Sequence, residues 1–126
     1  MKINYSYSAE QPALMQSIGT ATSPKYQINF DTEELSTEDI DGNTVTSYRS
    51  LYVHVKSISY ADVISAIIQI RYSDSEITAI VMNNMQANDI NSEISQEKRK
   101  EYISEYAELQ LWRKHAKEIA SSLSTK

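Results

Sequence analysis

Apolar residues recur at steps of three and four at Tyr60, Val63, Ile64, Ile67 and Ile68, with Arg71 on the same side and Asp62, Ser65 and Gln69 elsewhere. That period predicts a helix with one apolar side. Ser59 and Asp62 supply its start: the hydroxyl can accept a free amide of the first turn, and the carboxylate favours the positive end of the helix. Ser73 with Glu76 repeats the arrangement and opens a second helix, with Ile77, Ile80, Val81 and Met85 expected on one side, so the chain turns a corner between Tyr72 and Asp74. Asn83 and Asn84 tolerate the left-handed conformation that ends helices, and the aperiodic polar stretch from Gln86 to Asn91 predicts a connection. A third helix is expected from Ser95 or Gln96 to Leu123, where Tyr102, Tyr106, Leu109, Trp112, Ala116, Ile119 and Leu123 keep the spacing. At ~1.5 Å per residue it would be a rod of about 40 Å. Glu97 with Lys100, Lys98 with Glu101, and Lys114 with Glu118 stand one turn apart on its solvated face. Arg113, Lys114 and Lys117 lie toward the end where positive charge is favoured.

The first half alternates instead. Ile3, Tyr5 and Tyr7 alternate with Lys2, Asn4, Ser6 and Ser8, and Tyr26, Ile28 and Phe30 with Lys25, Gln27, Asn29 and Asp31, the pattern of half-buried strands. Asp41-Gly42 is a tight-turn dipeptide between Leu35 to Ile40 and Thr44 to Val55, which predicts a hairpin. In its second arm Leu51, Val53 and Val55 point one way and Tyr52, His54 and Lys56 the other. Ala9 to Pro24 reads as a long loop whose apolar residues Ala13, Leu14, Met15 and Ile18 either tuck under the sheet or dock on a neighbouring subunit. The predicted class is α+β: an antiparallel sheet of three to four strands followed by three helices, the last one long. One domain is expected over 1–126, β-rich over 1–56 and helical over 57–123. Its expected core packs Ile64, Ile67, Ile68, Ile80, Val81, Leu109 and Trp112 on the face bearing Leu51, Val53 and Val55.

Composition narrows the function classes. The 126 residues, 40% hydrophobic and 23% charged, suit one globular core. No apolar run approaches the ~18 residues that span a bilayer, and Met1 to Glu10 lacks a leader pattern, so neither a membrane partner nor a secretory route is expected. The absence of cysteine excludes disulfide and thiolate chemistry. A net charge of -5 without a basic patch disfavours nucleic acid, where phosphate neutralisation supplies most of the affinity.

Candidate chemistry is thin. Asp39-Ile40-Asp41-Gly42-Asn43 has the acidic, glycine-containing look of a calcium loop but lacks its third liganding position before the glycine and its distal bidentate Glu. Asp31, Glu33, Glu34, Glu38, Asp39 and Asp41 read better as a solvated acidic edge that discourages strand-to-strand aggregation. His54 and His115 have no second His or Cys at a metal-ligand spacing, the serines form no nucleophile elbow, and two separated glycines cannot make a phosphate loop. A non-enzymatic protein without metal or cofactor is expected.

Nine tyrosines against one Phe and one Trp suit contacts in which a ring is buried and its hydroxyl stays wet, although strands also favour tyrosine. Leu14, Met15, Ile18, Tyr48, Tyr52, Tyr102 and Leu111 are the candidate interface residues. Leu111 lies ~100° around the helix from Trp112, so a one-sided core leaves it partly wet. The stretches Tyr60 to Ile68, Arg71 to Ile80 and Tyr106 to Lys117 resemble small virion-associated proteins of phages and prophages of gut Bacteroides-type bacteria, including crAss-like phages. The closing Trp112-Arg113 and Ala116-Lys117 pattern is similar to the last helix of phage tail-fibre accessory proteins. The likeness covers roughly Tyr60 to Ala120 and implies a tail, fibre or head-attachment component working through protein contacts, multi-copy or homo-oligomeric, located in the virion after synthesis in the host cytoplasm. A fibre-assembly chaperone or a small regulator of a host protein are the alternatives.

Overall fold

The structure, a computed structural model, describes residues 4–124, so the expected strand positions Lys2 and Ile3 lie outside it. β3 (Tyr26–Glu38) and β4 (Thr44–Val55) form the centre of an antiparallel sheet, with the short β1 (Tyr5–Ser8) and β2 (Met15–Ser17) at its edges in the order β1-β4-β3-β2. Three helices follow: α1 (Tyr60–Gln69), α2 (Asp74–Ala87) and α3 (Gln96–Ser124). The class is α+β, as the periodicities predict.

The hairpin turns where expected. Gly42 takes φ 79°, and the Asp39 carboxylate accepts the amides of Asp41 and Asn43 at 2.9 Å each, so the acidic turn is tied to itself. The runs read as Tyr26 to Asp31 and Leu35 to Ile40 belong to one strand. Its pairing shifts between Phe30 and Glu33, where Asp31 and Thr32 together oppose Ser50 and Asp31 adopts φ 52°. The extra residue moves the inward set from Tyr26, Ile28 and Phe30 to Glu33, Leu35 and Thr37, which is why the alternation looked interrupted.

The helices α1 and α3 lie on the face bearing Ile28, Phe30, Leu51, Val53 and Val55, and α2 packs against α3. The core joins these residues to Val63 and Ile67 of α1, Tyr72, and Leu109, Trp112, Ala116, Ile119 and Ala120 of α3. Ile64, Ile68 and Ile80 pack at its margin, but Val81 and Met85 are exposed, against expectation. The face that α2 turns inward follows the line Ile77, Ile80, Asn84 and Ala87, and Val81 and Met85 stand one position, ~100°, beyond it. Nor does α2 end at Asn83 or Asn84. It runs to Ala87 and closes on Asn88 in a right-handed conformation, with the Arg99 guanidinium taking the carbonyls of Ala87, Asp89 and Ser92. The Asn88 and Asp89 amides bond the Asn84 and Gln86 carbonyls of the last turn, and a side chain of α3 takes the Ala87 carbonyl at the helix end together with two in the connection that follows.

Three other expectations change. Tyr5 and Tyr7 are exposed rather than half-buried, because β1 pairs with Tyr48 to Leu51, where the helical layer gives out. Arg49 stacks over the Tyr5 ring at 4.4 Å while pairing with Glu33. The long loop contains β2 and closes as a hairpin onto β3, with Ile18 and Gly19 donating to the Lys25 carbonyl at 2.8 and 3.0 Å. A Cβ on Gly19 would lie 2.4 Å from the backbone of Ser23 and Lys25, so the close approach requires glycine. Of the three expected pairs on α3, Lys98 with Glu101 closes at 3.3 Å, while Glu118 turns to His115 Nδ1 at 3.9 Å.

At the start of α2 the reciprocal cap is complete: the Ser73 hydroxyl accepts the Glu76 amide, and the Glu76 carboxylate accepts the Ser73 amide, each at 3.2 Å. Bonding from the Ser73 amide, and then from its hydroxyl, holds the Glu76 carboxyl below the ordinary range. Its contribution is therefore present above the unfolded value of about 4.3 and is lost as pH falls through the lower folded value. Ser73→Ala is expected to cost ~1 kcal/mol in denaturant melts, and most of that gap should persist under acid, because the hydroxyl caps the Glu76 amide whether or not the carboxyl is charged. Glu76→Gln isolates the carboxylate: it should destabilise at neutral pH and converge with wild type as the carboxyl protonates, and a gap that stayed unchanged at pH 3 would show that the charge adds nothing to the cap.

Candidate functional site

Four surfaces carry the residues of interest. The first is the sheet face turned away from the helices, where side chains form a polar chain. Gln16 Oε1 accepts Asn29 Nδ2 at 3.3 Å, Asn29 Oδ1 accepts Gln27 Nε2 at 3.0 Å, and Gln27 Oε1 lies 3.0 Å from His54 Nε2. Burial, and then nearby Lys25, lowers the His54 pKa, so the neutral ring dominates at pH 7. The Tyr52 ring centroid lies 5.1 Å from that of His54. Tyr48 and Tyr52 are half-buried along the same face. Beside them, a cleft of about 420 Å³ opens between the β4 edge and α1, reaching Asn4, His54 and Gln69.

The second surface is the distal β3–β4 arm. Beyond the reach of β1, Leu35 to Glu38 and Thr44 to Ser47 pair with each other alone, and most of their side chains are exposed. At ~3.4 Å per residue the four pairs of the arm extend about 14 Å. Ile40 at its tip is fully exposed, and Val45 is exposed on its flank.

The third is an apolar groove of about 410 Å³ between α1 and α2, lined by Tyr60, Ile64, Ile68 and Ile77 with Asp74 at its edge. The fourth is the outer face of α3, where Ile103 is 44% and Leu111 68% exposed.

The expected interface residues do not gather into one patch. Leu14 and Met15 are half-buried beside β3: Met15 pairs with Ile28 and packs on the core margin, and the Leu14 carbonyl accepts the Asn29 amide at 2.9 Å. Ile18 is exposed at the neck of the adjoining turn. Tyr102, half-buried on α3, lies under Lys98 at 5.6 Å. Leu111 is on the far side of the helical layer from Tyr48 and Tyr52.

Asp31 was read as part of a solvated acidic edge, yet the bulge aims it at α3, where its carboxylate meets His115 Nε2 at 2.7 Å. His115 also borders Trp112 and Phe30, with ring centroids at 5.7 and 6.4 Å. Both ring nitrogens face carboxylates, so the residue ties the helix to the sheet. Glu33 is likewise held by Arg49. Sequence reasoning missed Asn29, Arg99 and the groove. Asn29 carried one signal, a polar residue within the best alternating run, and Arg99 carried none.

Fold and surfaces together define an α+β protein whose sheet is covered on one face and whose other face, arm and outer helix are open. Among the described residues, no helix is long and apolar enough to cross a membrane. No family model, curated protein or solved structure matches the chain.

Proposed function

We propose that this chain is a non-enzymatic structural or adaptor protein of a phage particle, placed at a tail, fibre or head-attachment position and acting through protein contacts. The observation that carries the reading is the β3–β4 arm. A two-stranded ribbon is marginally stable by itself in water. Here one extends past the body with exposed Ile40 at its tip, a shape suited to reaching a neighbour. The likeness of Tyr60 to Ala120 to virion-associated proteins supports the particle as the setting. Nucleic acid fits poorly with the net charge of -5 and an arm edged by Glu34, Glu38, Asp39 and Asp41.

Mass spectrometry of purified particles is expected to find the polypeptide. Its absence would overturn the reading, and recovery only with intracellular fibre intermediates would assign it to assembly instead. Ile40→Ser with Val45→Ser is expected to change stability by less than ~0.5 kcal/mol, because both side chains are exposed. The same pair should sharply reduce incorporation, and normal incorporation would remove the arm from the contact.

A further inference from the structure

We propose that the outer face of α3 in one molecule seats in the α1–α2 groove of a second copy of this chain, making a head-to-tail contact. The inference deepens the assembly reading above by naming a partner and both surfaces. The groove presents Tyr60, Ile64, Ile68 and Ile77 with Asp74 at its edge, and Asp62 stands in the first turn of α1. Residues 60–87 contain the acids Asp62, Asp74 and Glu76 and a single cation, Arg71. That guanidinium lies over the Tyr72 and Trp112 rings at 5.3 and 5.2 Å. The groove is therefore apolar, with one carboxylate, Asp74, at its edge and no cation among its lining residues.

The outer face of α3 has the complementary pattern. Ile103, Ala107 and Leu111 form an exposed line at i, i+4 and i+8, opposite the buried side of Leu109 and Ala116. Exposed Lys100 and Lys114 extend that line by one step at each end. An apolar ridge flanked by lysines matches an apolar groove that carries the Asp74 carboxylate at its edge, within a segment of net negative charge, the kind of complementarity that favours one partner and one register.

Pairing α3 with α3 would defeat this pattern. In an antiparallel pair centred on Ala107, Lys100 faces Lys114 of the other copy, and in a parallel pair each lysine faces its equivalent. Like charges would then meet at both ends of a short apolar contact. Ridge and groove are different surfaces, so the contact is heterologous and repeats into a ring or a filament.

Sedimentation velocity of the purified full-length chain tests this. Association is expected at micromolar concentration and should weaken as salt rises. Leu111→Glu spoils the ridge, and Ser65→Arg, at a position that lines the groove together with Ala61, fills it with a charge that repels the lysines. Both sites are exposed, so helical circular dichroism should be unchanged, and each variant alone should associate roughly tenfold more weakly or worse. Mixed together, the two variants should form a one-to-one dimer that grows no further, because one intact ridge and one intact groove remain. A monomeric wild type, unaffected single variants, or a mixture without the capped dimer would each overturn the proposal. If either variant loses helicity, Ala61→Lys for the groove and Lys114→Glu for the ridge make the same test. No particle is involved, so failure here and failure to find the chain in particles are separate results.

Discussion

Replacing Trp112 by alanine is expected to remove ~3 to 5 kcal/mol from the unfolding free energy in denaturant melts, a large part of the ~5 to 15 kcal/mol typical of a domain. Trp112 is 8% exposed and packs against Phe30 and His115, with Arg71 over its ring. It also ends a helix. In the tightened last turn of α1 the Arg71 amide goes to the Ile68 carbonyl at 3.2 Å, so the Ile67 carbonyl lacks its usual donor four residues on. Trp112 Nε1 donates to that carbonyl at 2.9 Å in a buried setting. The alanine variant therefore loses apolar burial and leaves an acceptor unpaired. Trp112→Phe separates the two effects: it keeps most of the ring and drops the donor, and is expected to cost ~1 to 3 kcal/mol. A negligible cost for phenylalanine would show that the carbonyl finds another donor, and a loss under ~1 kcal/mol for alanine would remove Trp112 from the core.

The helices were legible because their signals are local. Ser59 and Ser73 cap where expected, accepting the amides of Asp62 and Glu76, and the spacing of Leu109, Trp112, Ala116 and Ile119 recurs as the buried side of α3. What escaped is set by contacts between distant segments. β2 has three residues, too few for alternation to show, and it exists because β3 is there to pair with it. The bulge at Asp31 changes which residues of β3 face inward without altering the residue types. The end of α2 is marked by Ala87 and Arg99, twelve positions apart, meeting across a connection. The candidate surfaces follow the same division. The exposure of Leu111 could be read from its position beside Trp112, whereas the groove exists only once α1 and α2 lie side by side.

Asn29 anchors the segment that looked like a loop, and Asn29→Ala is expected to cost roughly 2 to 3 kcal/mol. At 3% exposure it is among the few buried polar residues of the fold. Its Nδ2 donates to the Ala13 carbonyl at 2.9 Å and to Gln16 Oε1 at 3.3 Å, while its Oδ1 accepts from Gln27 at 3.0 Å. Three side-chain hydrogen bonds at ~0.5 to 1.5 kcal/mol each account for that cost, and the Ala13 carbonyl would be left without this donor. The consequence is regional as well as global. With the side-chain amide gone, residues 13–19 rely on three β2–β3 residue pairs, on the Leu14 carbonyl held by the backbone amide of residue 29, and on the Ile18 and Gly19 amides held by the Lys25 carbonyl. Hydrogen exchange at Ile18 and Gly19 should then proceed by local opening in the variant, well ahead of the β3–β4 ladder. The test also bears on Leu14, Met15 and Ile18 as interface residues, because Met15 reaches the core margin only while this segment is docked. Protection of Ile18 and Gly19 equal to that of the central strands would mean that backbone pairing alone holds the segment, and that the buried amide contributes stability without shaping the surface these residues present.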